Sequence, residues 1–145
     1  MHYLLDSNIL LYAKMDGMPE YPVVSQWLSE TMSVSANELL ITETAILSFL
    51  RISTNKRLFD PILGFDDART YIERFLDHPT TQLFRPSLQH FADVAEFMKK
   101  HDFGGNDAMD AHLAVIALTT GATLVTRDTD FKKIPYLKIL DPLTS

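Results

Sequence analysis

Three aspartates set the chemistry open to this chain. Asp6 interrupts the apolar run YLLDSNILLYA (residues 3–13), Asp110 lies within NDAMDAHLAVIAL (106–118), and Asp128 follows the strand-like TLVT in TLVTRDTDF (123–131). On a helix, Asp110 has Leu113 and Ala114 as its i+3 and i+4 neighbours, so its carboxylate leans over an apolar face. A buried carboxylate without a partner costs several kcal/mol or takes up a proton, and no lysine or arginine lies within a helical turn of it. If the three converge, they stay ionised together only with a cation among them. Carboxylate oxygens, no cysteine and no histidine pair at i, i+4 spacing select a hard cation, magnesium or manganese over zinc. Magnesium held by carboxylates keeps water ligands, one of which can be activated to attack a phosphodiester while the leaving oxygen is neutralised. The chemistry is metal-assisted phosphoryl hydrolysis.

Each residue also has a purely structural use. Asp6, Ser7 and Asn8 are all good helix N-caps. Asp128 and Asp130 suit a turn, and Asp107 suits the acidic first turn of a helix. Capping does not account for Asp110, whose position continues an apolar face.

The elements that must position these residues alternate along the chain. Residues 2–6, 38–42, 81–85, 122–126 and 137–140 are short apolar runs suited to strands. Between them, Ala68, Ile72, Phe75 and Leu76 form one helical face in a segment from the Asp66-Asp67 cap to Pro79, and Leu88, Phe91, Ala95 and Met98 form another between Ser87 and Gly104. A third helix starts at the cap Asn106 and ends at Gly121. Strands separated by helices imply crossovers, hence an α/β fold in three layers with a central, mostly parallel sheet of about five strands. In such sheets the functional crevice lies beyond the carboxyl ends of the strands, where Asp6 and Asp128 stand.

The bulk properties agree. With 145 residues, 46% hydrophobic and 22% charged, the chain suits one globular domain spanning 1–145. It has no cysteine, so no disulfide or thiolate site. No basic-plus-apolar leader or membrane-length apolar stretch is evident, so a cytoplasmic location is expected. The net charge of −6 argues against a non-specific nucleic-acid coat. It leaves room for a local basic strip beside a carboxylate cluster.

The stretches LLDSNILLYA, FLRISTNKRLF, GNDAMDAHLAVIALTTGATLVTRDTDF and PYLKILDP resemble a PIN domain, and in order and spacing the VapC toxins of bacterial toxin–antitoxin systems. The resemblance implies a parallel sheet between helices, a magnesium- or manganese-dependent endoribonuclease activity, homodimerisation, and inhibition by a small VapB-type antitoxin. On the same basis Asp6 matches the first acid in LDSN, Asn8 the polar residue that steadies that loop, Asp110 the helix aspartate and Asp128 the late aspartate. Asp130 is an auxiliary acid.

There is one departure. The family glutamate stands just ahead of a leucine-arginine pair, where this chain has Ser48 before Phe49, Leu50 and Arg51. Glu43, five residues earlier, is about 140° round a helix from that position. It either reaches the site from the end of the second strand or serves as an acidic N-cap of the helix. For RNA phosphates, Arg51 and Arg57 stand in an acid-free stretch from Thr44 to Phe59, with Lys56, Lys132 and Lys133 as surface charges. The incomplete acidic set leaves an alternative: a PIN-like module that binds RNA or protein with weak or no catalysis.

Overall fold

A computed structural model describes residues 1–144 of the chain. Its elements follow in the order β1 (His2–Leu5), α1 (Ser7–Lys14), α2 (Tyr21–Ser33), β2 (Glu38–Ile41), α3 (Glu43–Ser53), α4 (Phe65–Asp77), β3 (Thr81–Leu83), α5 (Leu88–Lys100), α6 (Ala108–Thr120), β4 (Thr123–Val125) and β5 (Ile139–Leu140). Short 3-10 turns at Gly105–Asp107 and Thr129–Lys133 complete the list. All five strands are parallel, in the order β3-β2-β1-β4-β5.

The strands are apolar on both sides because both faces of the sheet are covered. Leu4 aligns with Leu40 and with Leu124, and Leu5 with Val125. Leu4, Leu40 and Leu124 pack with Leu113, Ile116 and Ala117 of α6. Leu5, Leu39, Ile41 and Val125 pack with Ile9, Val24, Phe49 and Phe75 from the four helices α1 to α4 on the opposite face. Alternating side chains thus divide the interior into two cores, which makes the fold a three-layer α/β/α arrangement.

The chain order creates a switch point. From β1 the chain moves outward through β2 to β3, then crosses back to place β4 and β5 on the other side of β1. Connections from β1 and β4 therefore diverge, leaving a crevice beyond their carboxyl ends. Asp6 and Thr126 are the first residues past those two strands. At the outer edge, an ion pair of 2.7 Å between Arg127 and Asp141 links the exits of β4 and β5.

Helix boundaries follow local chemistry. Gly121 ends α6 with φ of 72°, the left-handed conformation that favours glycine. The α4 face is as expected, with Ala68 and Phe75 buried and Ile72 and Leu76 packed against them. Its cap is Gly64, so Asp66 and Asp67 fall in the first turn. Asn106 lies within the 3-10 turn instead of capping α6, and Asp107 accepts the Gly104 N–H at 3.0 Å.

On α5 the expected face is turned outward except at Met98, which is half-buried. Leu88 is 93% exposed, Phe91 60% exposed and Ala95 exposed, whereas His90 is only 6% exposed. The stripe that packs inward runs through the buried His90 and the half-buried Phe97. His90 Nε2 meets His112 Nδ1 of α6 at 2.7 Å, and Phe97 packs against Phe103. Burial lowers the pKa of both imidazoles, so one neutral ring donates to the other. Among the described residues, no helix is long and apolar enough to cross a membrane.

Candidate metal centre

Asp6 occupies two roles with one carboxylate. It is the N-cap of α1, Oδ1 accepting the Ser7 N–H at 2.7 Å. Oδ2 accepts the Thr126 hydroxyl at 2.7 Å and the Asn8 amide at 3.5 Å. The capping and site readings of Asp6 are therefore compatible. Burial raises its pKa, the hydrogen bonds from Thr126 and Ser7 pull it back, and the charge of Asp128 raises it further.

Thr126 joins the two strand exits. Its side chain is almost fully buried, at 1% exposure. The hydroxyl donates to Asp6, accepts the Asp128 N–H at 3.0 Å and receives the Asn8 amide at 3.4 Å. The parallel register explains the meeting: with Leu5 opposite Val125, the next residue on each chain is Asp6 and Thr126. Those contacts turn the Asn8 nitrogen toward Asp6 and Thr126, and its Oδ1 is left buried without a hydrogen-bond partner. A buried amide oxygen with no donor is an open acceptor position beside a carboxylate.

Asp128 caps the Thr129–Lys133 turn through Asp130, whose N–H it accepts at 2.9 Å. The turn-forming reading is thus correct, and it also aims two acids at α6. Carboxylate oxygens of Asp110, Asp128 and Asp130 lie within 4.8 Å of one another. Asp110, in the first turn of α6, has its pKa pushed up to about 6, chiefly by burial and then by the charges of Asp128, Asp6, Asp107 and Asp130. No cationic side chain pairs with it among the described residues. Asp6, Asn8, Asp110 and Asp128 line one cavity of about 340 Å³, shared with Thr42, Thr44, Ser48 and Arg51 of the β2–α3 segment.

Glu43 is not among the residues lining that cavity. The true cap of α3 is Thr42, whose hydroxyl accepts the Ala45 N–H at 3.1 Å. This fixes the stripe Thr44, Ser48 and Arg51, at i, i+4 and i+7, toward the cavity. Glu43 is one residue, about 100°, off that stripe and is exposed like Leu47, an acid in the first turn of α3 and not its cap. Arg51 lines the cavity, but Arg57 lies in the turn after α3, its N–H donating to the Asn55 side chain. Lys133 rests over the Phe103 ring at 4.7 Å, away from the cavity-lining set.

Four oxygen-bearing acids, an unpartnered amide oxygen and a carboxyl that holds its proton up to about pH 6 fit a hard divalent cation. Fold and crevice together define the class: an open, parallel α/β protein with an acidic pocket at its switch point. Residues 3–136 match the model of the PIN domain, and the chain belongs to that family. It is 29% identical over 138 residues to Ribonuclease VapC33 of Mycobacterium tuberculosis, covering 95% of this chain and 96% of the relative. To Ribonuclease VapC37 of the same organism it is 30% identical over 128 residues, 88% of each chain. Among solved structures, the Mycobacterium tuberculosis VapC20 toxin superposes with a TM-score of 0.73 at 11% identity, covering 96% of this chain and 99% of the other. VapBC2 from Rickettsia felis, bound to a DNA fragment from its promoter, gives 0.69 at 21% identity, covering 97% and 98%. At those identities the structural likeness speaks for the fold.

Proposed function

We propose that the chain is a magnesium- or manganese-dependent endoribonuclease, the toxin of a VapBC-type pair acting in the cytoplasm. The observation that carries this reading is the convergence of Asp110, Asp128 and Asp130 within 4.8 Å, beside Asp6 and with no cationic partner among the described residues. The ribonuclease names of the relatives support it, as does a VapBC complex among the structural neighbours. Homodimerisation follows from the resemblance.

Asp6, Asp110 and Asp128 would hold the cation, with Asp130 as the outer auxiliary acid. A divalent ion in that position supplies the Lewis acidity for water attack on a phosphodiester and offsets charge on the departing oxygen. The protein's part is to hold the carboxylates still. Ser7 and Thr126 fix both oxygens of Asp6, and the Asn8 Oδ1 is free to accept from an ordered water. Arg51, at the edge of the same cavity, is placed to meet a substrate phosphate.

The test is RNA cleavage in manganese, with and without chelator. Cleavage that stops in chelator and returns with excess manganese is the expected result. Cleavage indifferent to chelator would sink the cation assignment, and RNA bound but left intact in saturating manganese would replace the nuclease with a binding module.

Thr126 gives a second expectation. Thr126→Val keeps the shape but removes the donor to Asp6 and the acceptor of the Asp128 N–H, leaving both groups short of a partner. Stability should fall by about 1–3 kcal/mol in urea unfolding, and manganese should bind roughly 10- to 100-fold more weakly. Thr126→Ser retains the hydroxyl and should recover most of the metal affinity. Wild-type manganese affinity in the valine variant would remove Thr126 from the site.

A further inference from the structure

We propose that the α3 wall of the cavity, formed by Thr44, Ser48 and Arg51, is a phosphate subsite, so that the pocket takes one cation and one phosphate instead of two cations. The inference deepens the ribonuclease reading and rests on it for the identity of the phosphate as part of an RNA backbone. Its grounds are the division of the cavity by charge.

The α6 and β4 side supplies Asp110 and Asp128, and the β1 exit supplies Asp6. The opposite wall carries no carboxylate, because the only acid in the first turn of α3, Glu43, is exposed and outside the cavity. What α3 presents instead is a stripe of two hydroxyls and a guanidinium. Thr42 and Thr44 share a hydrogen bond of 3.0 Å between hydroxyls, in which only one proton is used, so one hydroxyl proton is left to donate elsewhere. The half-buried Ser48 hydroxyl makes no hydrogen bond among the described residues.

Arg51 is the decisive group. The ion pairs among the described residues are His2–Glu38, Arg69–Glu73 and Arg127–Asp141. Arg51 therefore borders a pocket of aspartates without pairing with any of them. A second divalent cation on that wall would meet a positive charge and neutral hydroxyl protons, with no anionic ligand to compensate its desolvation. A phosphate would meet a planar five-donor fork and two hydroxyl donors, a fit for its oxygens. It would also share one cavity with the acidic wall.

Two measurements test this, and neither reads catalysis. Titration of the wild-type chain with manganese alone, followed by the electron paramagnetic resonance of the free ion, should give one tightly bound equivalent per chain; two equivalents would overturn the proposal. Anisotropy of a labelled single-stranded RNA in chelator should show at least tenfold weaker binding for Arg51→Gln, partial recovery for Arg51→Lys, and no change for Arg69→Gln on α4. Arg51→Gln binding within twofold of wild type would also overturn it. A wild-type chain that takes up neither manganese nor RNA would overturn the ribonuclease reading itself.

Discussion

Asp110→Asn is expected to lower manganese-dependent RNA cleavage by roughly 10²–10³-fold, the scale of one lost transition-state charge contact, while making the cation-free protein more stable. The two effects have one origin. The folded state raises the Asp110 pKa to about 6 from an ordinary carboxylate value of 3.8. Between those values the folded chain binds more protons than the unfolded one, so stability from this group is fully present below about pH 4 and is lost as the pH rises through about 6. At pH 7 the ionised carboxylate is a net cost in the absence of a cation. Taken at face value the shift would be worth about 3 kcal/mol by linkage. Because the side chain is only half-buried and solvent screens part of its charge, the expected figure is about 1 kcal/mol. Asparagine preserves the shape and removes the charge, so the melting temperature in chelator should rise by about 2–4 °C. Manganese should stabilise the wild type more than the variant. A variant that melts lower in chelator, or still cleaves at the wild-type rate, would remove Asp110 from the centre of the site.

That opposition between stability and function is what made Asp110 visible in the sequence. A carboxylate continuing an apolar face conflicts with its local pattern, and such conflicts gather at functional sites. Asp6 and Asp128 were legible for a different reason: both follow strand-like runs, and the carboxyl ends of parallel strands are where crevices form. Thr126 carried no comparable signal. A threonine ending an apolar run is ordinary strand composition, and its role depends on β4 lying beside β1 in a register that one strand alone does not reveal.

The α5 face was misread, and the place of Glu43 left open, because a helical period defines stripes without saying which one faces inward. On α3 the cap decides the matter. Thr42 takes the N-cap, and Glu43 is turned outward by the single-residue offset. On α5 the stripe of Leu88, Phe91, Ala95 and Met98 is the more apolar. The stripe that packs contains His90, whose polarity is satisfied only by His112 on another helix. Long-range hydrogen bonding of this kind overrides hydropathy, and it is absent from local sequence.

The same contrast yields the largest expected effect on stability. Phe49→Ala should destabilise the protein by about 3–5 kcal/mol, lowering the melting temperature by roughly 10 °C. Phe91→Ala should change stability by less than about 1 kcal/mol. Phe49 is fully buried in the core between α3 and the sheet, and its ring meets that of Tyr71 on α4 at 5.3 Å between centroids. Removing it leaves a cavity that two helices and a sheet cannot close without moving. Phe91 is 60% exposed, and its ring stands edge-to-face with His90 at 5.5 Å between centroids. The pair separates hydropathy from packing, since both are phenylalanines on amphipathic helices. Thermal melts of the two variants in parallel decide between them. Equal losses would mean that the α5 stripe is covered in solution, which would place an interface on Leu88 and Phe91. A loss confined to Phe49→Ala would instead show that burial and not hydropathy sets the cost on each helix.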